Sequence, residues 1–426
     1  MANDVTAVVM AAGLGTRMKS ATPKHLHPLL GRRLVDWVVQ AARDAGVERV
    51  VVVTSPEAAD AFPNEEVAVQ HEPLGTGDAV RAARETLQGA GGDVLVLNGD
   101  VPALRGETVA SLLETHRRER AAGTVLSFAP DDVRSYGRIV RNAERRLARI
   151  VEAKDASAEE LELREVNSGI YVFTAEALWP LLDRLEPKNA QGELYVTDTL
   201  GLLVADGAPV AVHVAEPAWE VEGINTRVEL AFVAGKLRDR INERHMLDGV
   251  TIVDPESTWI EAGVELAQDV TIHPYTVIRT GVRFESGVEV GPFAYVRPGT
   301  TVGEHGKIGT FVEVKNATVG ARTKIPHLSY IGDADIGDDT NIAAANVTAN
   351  FKHTPGLPKA KTTIGNNVRT GVDNTFNAPV SIGDDAWIAP GAVITDDVPP
   401  GALAGFAPRQ ETKEGWVYDT HGKPDS

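Results

Sequence analysis

Up to about residue 230, short apolar runs alternate along the chain with segments in which apolar residues recur at helical spacing. The apolar runs include "TAVVMAA", "ERVVVVTS" and "DVLVLNGD", and the segments between them include "RLVDWVVQAARDAG" and "GDAVRAARETLQ". Alternation of this kind predicts a mostly parallel sheet covered by helices. We therefore expect a Rossmann-like α/β domain over residues 1–227.

One long helical pattern follows this domain. Residues 228–247 read "VELAFVAGKLRDRINERHML", and their apolar positions keep helical spacing. We assign 228–248 to a linker helix between two domains.

Beyond the linker, an apolar residue returns every six positions, with two one-residue slips. The series is Ile260, Leu266, Ile272, Ile278, Phe284, Val290, Val296, Val302, Ile308, Val314, Val319, Ile325, Ile331, Ile336 and Ile342, and it returns at Ile364, Phe376, Ile382, Ile388 and Ile394. This period predicts a left-handed parallel β-helix of hexapeptide repeats over 249–426, whereas a sandwich has strands about every 8 to 12 residues and would not keep the register. The segment "FKHTPGLPKAK" at 351–361 breaks the period and is expected to be a loop leaving one coil. By analogy of fold, such β-helices are usually trimeric acyltransferases with sites between subunits.

Composition narrows the functional class. The chain has 426 residues, enough for two domains with their own cores, and its formal net charge of −18 argues against a nucleic-acid or anionic-membrane partner. It has no cysteine, which excludes disulfides, thiolate metal sites and a cysteine nucleophile. Since the N-terminal residues "MANDVTAVVMAAG" lack a signal-peptide pattern and no apolar run approaches about eighteen residues, we expect a soluble, cytoplasmic protein.

The first strand candidate is followed by "AAGLGTRMKSATPKHLHPL". Gly13 and Gly15 would let backbone N–H groups approach a phosphate at the carboxyl end of this strand, while Arg17 and Lys24 would neutralise its charge. The run is not a Walker motif, because no Gly-Lys-Ser/Thr closes it. A purely structural turn with solvated basic residues is the alternative for this stretch alone.

Further motifs occur in the order found in sugar-nucleotide pyrophosphorylases. They are "PLGTGDAV", "VLNGDVPAL", "SYGRIVR", "IVEAKDAS" and "VNSGIYVF" in the first half, and "PFAYVRPG", "FVEVKNA", "PHLSYIGDADIG" and "NIAAANVTAN" in the second. With the hexapeptide repeats, the chain resembles the bifunctional N-acetylglucosamine-1-phosphate uridyltransferase / glucosamine-1-phosphate N-acetyltransferase family over nearly its whole length. The resemblance implies a nucleotidyltransferase domain, an acetyltransferase β-helix, a homotrimer and the synthesis of UDP-N-acetylglucosamine, an early peptidoglycan precursor.

The resemblance implies roles for residues at the family's motif positions in the first half. Asp100 and Asn225 match its Mg²⁺ ligands, while Arg17 and Lys24 match the catalytic cations that hold the triphosphate of UTP. Two oxygen donors, completed by phosphates and waters, suit magnesium. The other matching positions are Ala11, Ala12, Gly13, Gln70, Gly75 and Thr76 on the nucleotide, and Gly137, Glu152, Asn167 and Asn225 on N-acetylglucosamine 1-phosphate.

In the second half, His327 matches the general base for acetyl transfer to glucosamine 1-phosphate. Deprotonating an amine is a task that suits histidine. The other matching positions are Arg297, Lys315, Tyr330 and Asn341 on glucosamine 1-phosphate, and Asn350, Phe351, Val372, Pro390 and Arg409 on acetyl-CoA. Lys359 and Lys413 are secondary candidates, for a subunit-bridging lysine and a CoA contact.

Several positions depart from the family pattern. Leu14 replaces a usual lysine and Asn98 a frequent aromatic residue; leucine at the first position also occurs in thymidylyltransferases, so UTP and dTTP both stay open. On the acetyl-CoA side, "NFKH" replaces "NYDG", Val372 replaces a serine and Pro390 an alanine. One alternative is therefore a sugar-1-phosphate nucleotidyltransferase with a purely structural, trimerising β-helix. A non-catalytic scaffold predicts loss of the metal ligand and triphosphate cations, and all are present.

Overall fold

The computed structural model describes residues 5–13, 15–89, 91–133, 136–189, 191–351, 356–405, 412–414 and 416. The chain forms two compact units, Met1–Leu237 and Arg238–Ser426, called unit 1 and unit 2 below.

Unit 1 contains these strands and helices. The strands are β1 (Val5–Met10), β2 (Pro28–Leu29), β3 (Arg32–Arg33), β4 (Arg49–Thr54), β5 (Glu66–Val69), β6 (Asp93–Asn98), β7 (Gly123–Phe128), β8 (Arg138–Arg141), β9 (Leu147–Val151), β10 (Val166–Thr174) and β11 (Val210–Val214). The helices are α1 (Leu34–Asp44), α2 (Thr76–Ala82), α3 (Gly106–Arg118), α4 (Ala158–Leu161), α5 (Ala175–Leu182), α6 (Asp198–Ala205) and α7 (Arg227–Leu247), which continues into unit 2. Short 3₁₀ helices lie at Thr16–Met18, Lys24–Leu26, Pro56–Ala61 and Ala218–Val221.

The main sheet of unit 1 has the strand order β11-β7-β10-β6-β1-β4-β5. Its pairs are parallel except around β10, which runs antiparallel to both β6 and β7. The central strand β1 reads "VTAVVM" and is buried along its whole length, as expected for a strand with helices on both faces. The predicted α/β class is confirmed, and the parallel strands β1 and β6 end side by side.

The two faces of this sheet bury separate apolar cores. Alternate residues of β1 point to opposite faces, so Val9 packs with α1 and α3 while Val8 packs with α2, α5 and α6. The carboxyl ends of β1 and β6 are thereby held at one rigid edge.

Unit 2 consists mostly of very short strands. These are β12 (Thr251–Ile252), β13 (Trp259–Ile260), β14 (Glu265–Leu266), β15 (Thr271–Ile272), β16 (Val277–Ile278), β17 (Arg283–Phe284), β18 (Glu289–Val290), β19 (Tyr295–Val296), β20 (Thr301–Val302), β21 (Lys307–Thr310), β22 (Glu313–Val319), β23 (Lys324–His327), β24 (Tyr330–Ile336), β25 (Val347–Ala349), β26 (Thr362–Ile364), β27 (Arg369–Thr370), β28 (Thr375–Asn377), β29 (Val380–Ile382), β30 (Trp387–Ile388), β31 (Val393–Ile394) and β32 (Leu403–Ala404).

The short strands pair in parallel between successive coils, which makes unit 2 a parallel β-helix. Ile260 lies opposite Ile278, which in turn lies opposite Val296, so one coil is 18 residues, or three six-residue steps. The apolar series predicted from the sequence is buried throughout except for the half-buried Leu266. The β-helix prediction is therefore confirmed.

Deviations from the six-residue period correspond to shorter and longer coils. Ile308 lies opposite Ile325, which makes that coil 17 residues long and accounts for the slips in the pattern. Ile336 lies opposite Ile364, so this coil carries ten more residues than a regular one. The added chain begins after Asn350, whose carbonyl oxygen accepts a hydrogen bond from the N–H of Ala360 (2.9 Å). No helix among the described residues has the length and apolar character needed to span a bilayer.

Candidate active sites

A cluster of charged and amide side chains lies beyond the ends of β1 and β6 in unit 1. Lys24 Nζ lies 2.5 Å from Asp100 Oδ2 and donates to Asn225 Oδ1 at 3.2 Å. Arg17 Nη2 donates to the same Asn225 oxygen at 2.9 Å. Residues far apart in sequence therefore meet at one point, the carboxyl edge where open α/β sheets bind ligands.

The electrostatics of this cluster keep Asp100 ionised. Burial by itself would raise the pKa of Asp100, but the ammonium of Lys24, together with His25, outweighs burial and lowers it. The carboxylate of Asp100 and the amide oxygen of Asn225 converge on one cation, which here is the lysine ammonium. Oxygen donors of this kind are those that Mg²⁺ prefers, so the residues fit a magnesium ion completed by phosphates and waters. The described residues contain no cluster of three or more metal-binding side chains.

The glycine-bearing turn fixes the position of Lys24. Gly15 has a φ of 59°, and a Cβ at this position would lie 2.4 Å from the Cβ of Lys24. Only glycine allows both this backbone conformation and this contact. Gly13 leaves more room, since its Cβ would lie 3.7 Å from His25 Nε2.

His25 is a buried residue of this site that the sequence analysis did not select. Burial, followed by the charge of Lys24, lowers its pKa to about 4, so the imidazole is neutral at pH 7. A side chain at Gly99 would come within 3.3 Å of its Nδ1. The second basic residue of "PKHLHPL" was a signal that was open to use.

A cavity of about 390 Å³ begins at this cluster and continues toward β5 and α2. Of the residues predicted for the nucleotide, those lining it are Ala12, Gly13, Lys24, Gln70, Gly75, Thr76 and Asp100. Ala11 instead is buried beneath the cavity and extends the sheet, donating its N–H to Val53 O. The Gln70 amide donates to Gly75 O and Asp78 Oδ2, so the group it can offer a ligand is its carbonyl oxygen.

A second cavity of about 260 Å³ shares Met10, Thr76, Asn98 and Asp100 with the first. The predicted sugar-site residues Gly137, Glu152, Asn167 and Asn225 line it. Residues of this cavity that were not predicted include Ser168, Tyr171, Tyr195 and Thr197. The two cavities form one cleft with the Lys24–Asp100–Asn225 cluster between them.

Local contacts shape the sugar end of the cleft. A Cβ at Gly137 would lie 3.1 Å from Glu152 Oε1, so glycine makes room for this carboxyl group. Burial raises the pKa of Glu152. Asn167 donates to the buried hydroxyl of Tyr171 at 2.8 Å, next to an irregularity in the pairing of β10 with β7. Such irregularities commonly direct side chains toward active sites.

Asn98 also has a local explanation. Its amide donates to Ser168 O at 3.2 Å, and a Cβ at Gly169 would lie 2.2 Å from Asn98 Nδ2. Gly169 has a φ of 75°. The asparagine therefore packs against a glycine and braces the wall of the cleft.

Unit 2 has its own cluster of cations. Lys315 Nζ lies 3.9 Å from Asp333 Oδ2, and Arg297 Nη1 donates to Glu313 Oε1 at 2.7 Å. The side chain of Lys359 and then burial lower the pKa of Lys315, an effect that Asp333 opposes and Arg297 reinforces. Three cations thus converge in a chain that is strongly acidic overall. Lys359, a candidate for a subunit-bridging lysine, here lies beside Lys315 of its own chain.

Tyr330 and Asn350 complete this cluster. Asn350 Nδ2 lies 3.4 Å from the Tyr330 hydroxyl and donates to the carboxylate of Asp333. A Cβ at Gly332 would lie 2.4 Å from that hydroxyl, so glycine makes room for the tyrosine. Asp333 was not predicted, although it holds both Asn350 and Lys315.

His327 is exposed at the end of β23, one corner of the β-helix. A Cβ at Gly309, on the preceding coil, would lie 1.9 Å from Pro326 O, which requires glycine there. Farther along the coils, Gly391 N donates to Val372 O, and Pro390 packs on the coil that carries Val372. Since Asp373 N binds Ala344 O, one coil beyond His327, these residues follow one corner in succession. Phe351 is exposed.

Asn341 lies on a different face from Tyr330. It pairs with Lys324 and Arg369, whereas Tyr330 pairs with Glu313 and Val347. Lys413 is exposed. Arg409, Leu14 and Lys352 of "NFKH" lie outside the described residues.

The cleft of unit 1 is typical of nucleotidyltransferases, and residues 7–195 match the family described as the MobA-like NTP transferase domain. Whole-chain similarity is more specific. A "Bifunctional protein GlmU" of Corynebacterium efficiens is 44% identical, covering 96% of this chain and 93% of the relative. The proteins of that name from Streptomyces coelicolor and Mycobacterium tuberculosis are 45% and 43% identical, covering 96% and 97% of this chain and 93% and 92% of their own lengths.

The chain therefore belongs to the GlmU family, the bifunctional N-acetylglucosamine-1-phosphate uridyltransferase / glucosamine-1-phosphate N-acetyltransferase family that its motifs resemble. It is an enzyme of that class, which confirms the predicted family and function.

Proposed function

We propose that unit 1 transfers a uridylyl group from UTP to N-acetylglucosamine 1-phosphate and that unit 2 first acetylates glucosamine 1-phosphate. The observation that carries this proposal is the convergence of Lys24, Arg17, Asp100 and Asn225 at the junction of two cavities. One cavity would hold the nucleotide and the other the sugar 1-phosphate, with the reacting phosphates between them.

In the nucleotidyl transfer, a phosphate oxygen of the sugar attacks the α-phosphorus of UTP and the bond to the bridging oxygen of pyrophosphate breaks. Catalysis of such a reaction depends on positioning and on neutralising charge. Lys24 and Arg17 would hold the triphosphate, while Gln70 would accept a hydrogen bond from the uracil imide N–H. Asp100 and Asn225 would bind Mg²⁺, which supplies further neutralisation of the phosphates when bound.

In the acetyl transfer, the 2-amine of glucosamine 1-phosphate attacks the thioester carbonyl and the CoA thiol leaves. His327 would take the proton of the amine. Arg297, Lys315 and Tyr330 would bind the sugar phosphate, and the corner that carries Val372 and Pro390 would bind the pantetheine arm of acetyl-CoA. Successive coils rise by about 4.8 Å, a spacing that suits an extended arm lying along several coils.

Assembly as a homotrimer supports this second site. Asn341 lies on another face than Lys315 and Tyr330, so one sugar can contact all of them only if a neighbouring chain contributes Asn341. Exposed aromatic rings follow one corner, with Tyr275 stacked on Phe293 at 4.9 Å and Phe293 on Phe311 at 5.1 Å. An exposed apolar row of this kind suits a subunit interface. UTP and acetyl-CoA are cytoplasmic metabolites, so we place the enzyme in the cytoplasm.

A one-pot reaction tests the proposal. Supplied with glucosamine 1-phosphate, acetyl-CoA, UTP and Mg²⁺, the protein is expected to form UDP-N-acetylglucosamine, measured by mass spectrometry. Omitting UTP should leave N-acetylglucosamine 1-phosphate, and dTTP should replace UTP poorly. A product that forms only from added N-acetylglucosamine 1-phosphate would favour the single-activity alternative with a structural β-helix.

The buried carboxyl group of Glu152 predicts a pH dependence of sugar binding. Because burial raises its pKa, Glu152 becomes protonated at a higher pH than an ordinary carboxyl group. As an ionised acceptor for sugar hydroxyls it is fully effective above that pKa, so the KM for N-acetylglucosamine 1-phosphate should rise as the pH falls through it. Glu152→Gln should raise this KM about tenfold at high pH and remove the step. The exposed Glu107→Gln is the control, and a step that persists in Glu152→Gln would contradict the assignment.

A further inference from the structure

Unit 1 has a third cavity, of about 620 Å³, on which the proposed chemistry does not draw. It shares no described lining residue with either cavity of the cleft. Its walls come from the end of α3, the turn between β8 and β9, the end of α6 and the start of β11. Leu147 and Pro209 give it apolar surface.

Arginine dominates the charge of this cavity. Arg118, Arg141, Arg145 and Arg146 line it, against the single carboxylate of Glu119 among the lining residues. The side chains of Arg118 and Arg146 are 59% and 73% exposed and can turn toward a ligand. In a chain of net charge −18, such a cluster focuses a local positive potential. Guanidinium groups bind phosphates in a bidentate manner, so the chemistry favours a small phosphorylated anion.

The cavity is built on an ordered turn. Arg141 donates to both carboxylate oxygens of Glu165, at 2.7 and 2.6 Å, and to Arg145 O at 2.7 Å. Asn142 closes the turn, since its carbonyl oxygen accepts from Arg145 N and its side chain from Arg146 N, both at 2.9 Å. Arg145 has a φ of 62°, a conformation that glycine adopts more easily. The arginine thus occupies a position where the backbone alone would favour glycine.

The same hairpin reaches the catalytic cleft at its other end. Gly137 directly precedes β8 and Glu152 directly follows β9, and both line the sugar cavity. Glu165, which binds Arg141, lies two residues before Asn167 of that cavity. Four or five strand residues, about 15 Å, separate the two ends.

We propose that this arginine cavity binds a small molecule that carries two phosphate groups, and that the β8–β9 hairpin couples its binding to the affinity of the cleft for sugar 1-phosphate. The binding part stands on the cavity alone, whereas the coupling rests on the proposed function of unit 1. Coupling between two sites is reciprocal, so the sugar 1-phosphate should change the affinity for the bisphosphate by the same factor.

Isothermal titration with fructose 1,6-bisphosphate, without Mg²⁺, tests the binding. The unmodified protein should bind the probe with a Kd of about 1 mM or below. The double variant Arg145→Gly/Arg146→Gln should weaken binding at least about tenfold, because it removes two cations, while the glycine relieves the turn and keeps the thermal unfolding midpoint unchanged or raised. Arg43→Gln, an exposed arginine on α1, and Arg17→Ala, in the cleft, should leave binding unchanged.

Two results would overturn the site: no heat from the unmodified protein, or equal binding by the double variant. Loss of binding in Arg17→Ala would instead place the probe in the catalytic cleft and would also overturn it. The coupling is tested by the KM for N-acetylglucosamine 1-phosphate with and without probe, and a KM that does not change would overturn it. Since binding is measured without turnover, failure of the site and failure of the proposed activity are distinguishable.

Discussion

Asp100→Ala is expected to lower the rate of uridylyl transfer by about 10³-fold while acetyl transfer continues at its normal rate. The substitution removes the carboxylate that faces Lys24 at 2.5 Å and that, with Asn225, would hold the metal. It also leaves a buried ammonium without its ionised partner. Pyrophosphate release from UTP and N-acetylglucosamine 1-phosphate measures the first activity, and CoA release measures the second.

Asp100→Asn separates charge from shape in this test. Asparagine keeps an oxygen that can accept a hydrogen bond from Lys24, so the variant should remain as stable to heat as the unmodified protein. Its activity should still fall by a large factor, because a neutral amide binds a divalent cation far more weakly than a carboxylate. Near-normal uridylyl transfer by Asp100→Asn would show that the metal and the triphosphate are held elsewhere.

His327→Ala is expected to have the opposite pattern. The rate of acetyl transfer should fall by about 10² to 10⁴-fold, because the amine then has no side chain positioned to take its proton. The KM for glucosamine 1-phosphate should change little, since Arg297 and Lys315 remain. The imidazole is exposed at a corner of the coil, so the fold should tolerate its removal.

The matched control for His327 is His305, on a neighbouring coil. His305→Ala should leave acetyl transfer unchanged. If one substitution, at Asp100 or at His327, removed both activities from a folded protein, the assignment of one reaction to each unit would be wrong.

The interior of the β-helix was readable from the sequence because every coil repeats the same inward position. Ile260, Ile278 and Val296 are buried and stacked as their six-residue spacing predicted. Which face an outward residue occupies was not readable. Coils of 17 residues and the ten-residue excursion after Asn350 shift the count, so the separate face of Asn341 became visible only from strand pairing.

In unit 1, local motifs placed Lys24 and Asp100 near strand ends but did not bring them into contact. That contact depends on β1 and β6 being neighbours in the sheet, a long-range property. The arginine cavity depends on the fold in the same way, because Arg118 on α3 meets Arg145 on a hairpin turn. Short sequence windows carry no record of such meetings.

The most direct test of the central claim, that this one chain holds two active sites, is the release of free CoA thiol from acetyl-CoA. Because the chain has no cysteine, a thiol reagent detects CoA without background from the protein. We predict thiol release that depends on glucosamine 1-phosphate, continues in Asp100→Ala and is lost in His327→Ala. No release, from protein that still makes pyrophosphate from UTP and N-acetylglucosamine 1-phosphate, would contradict the account and leave the β-helix as a structural element.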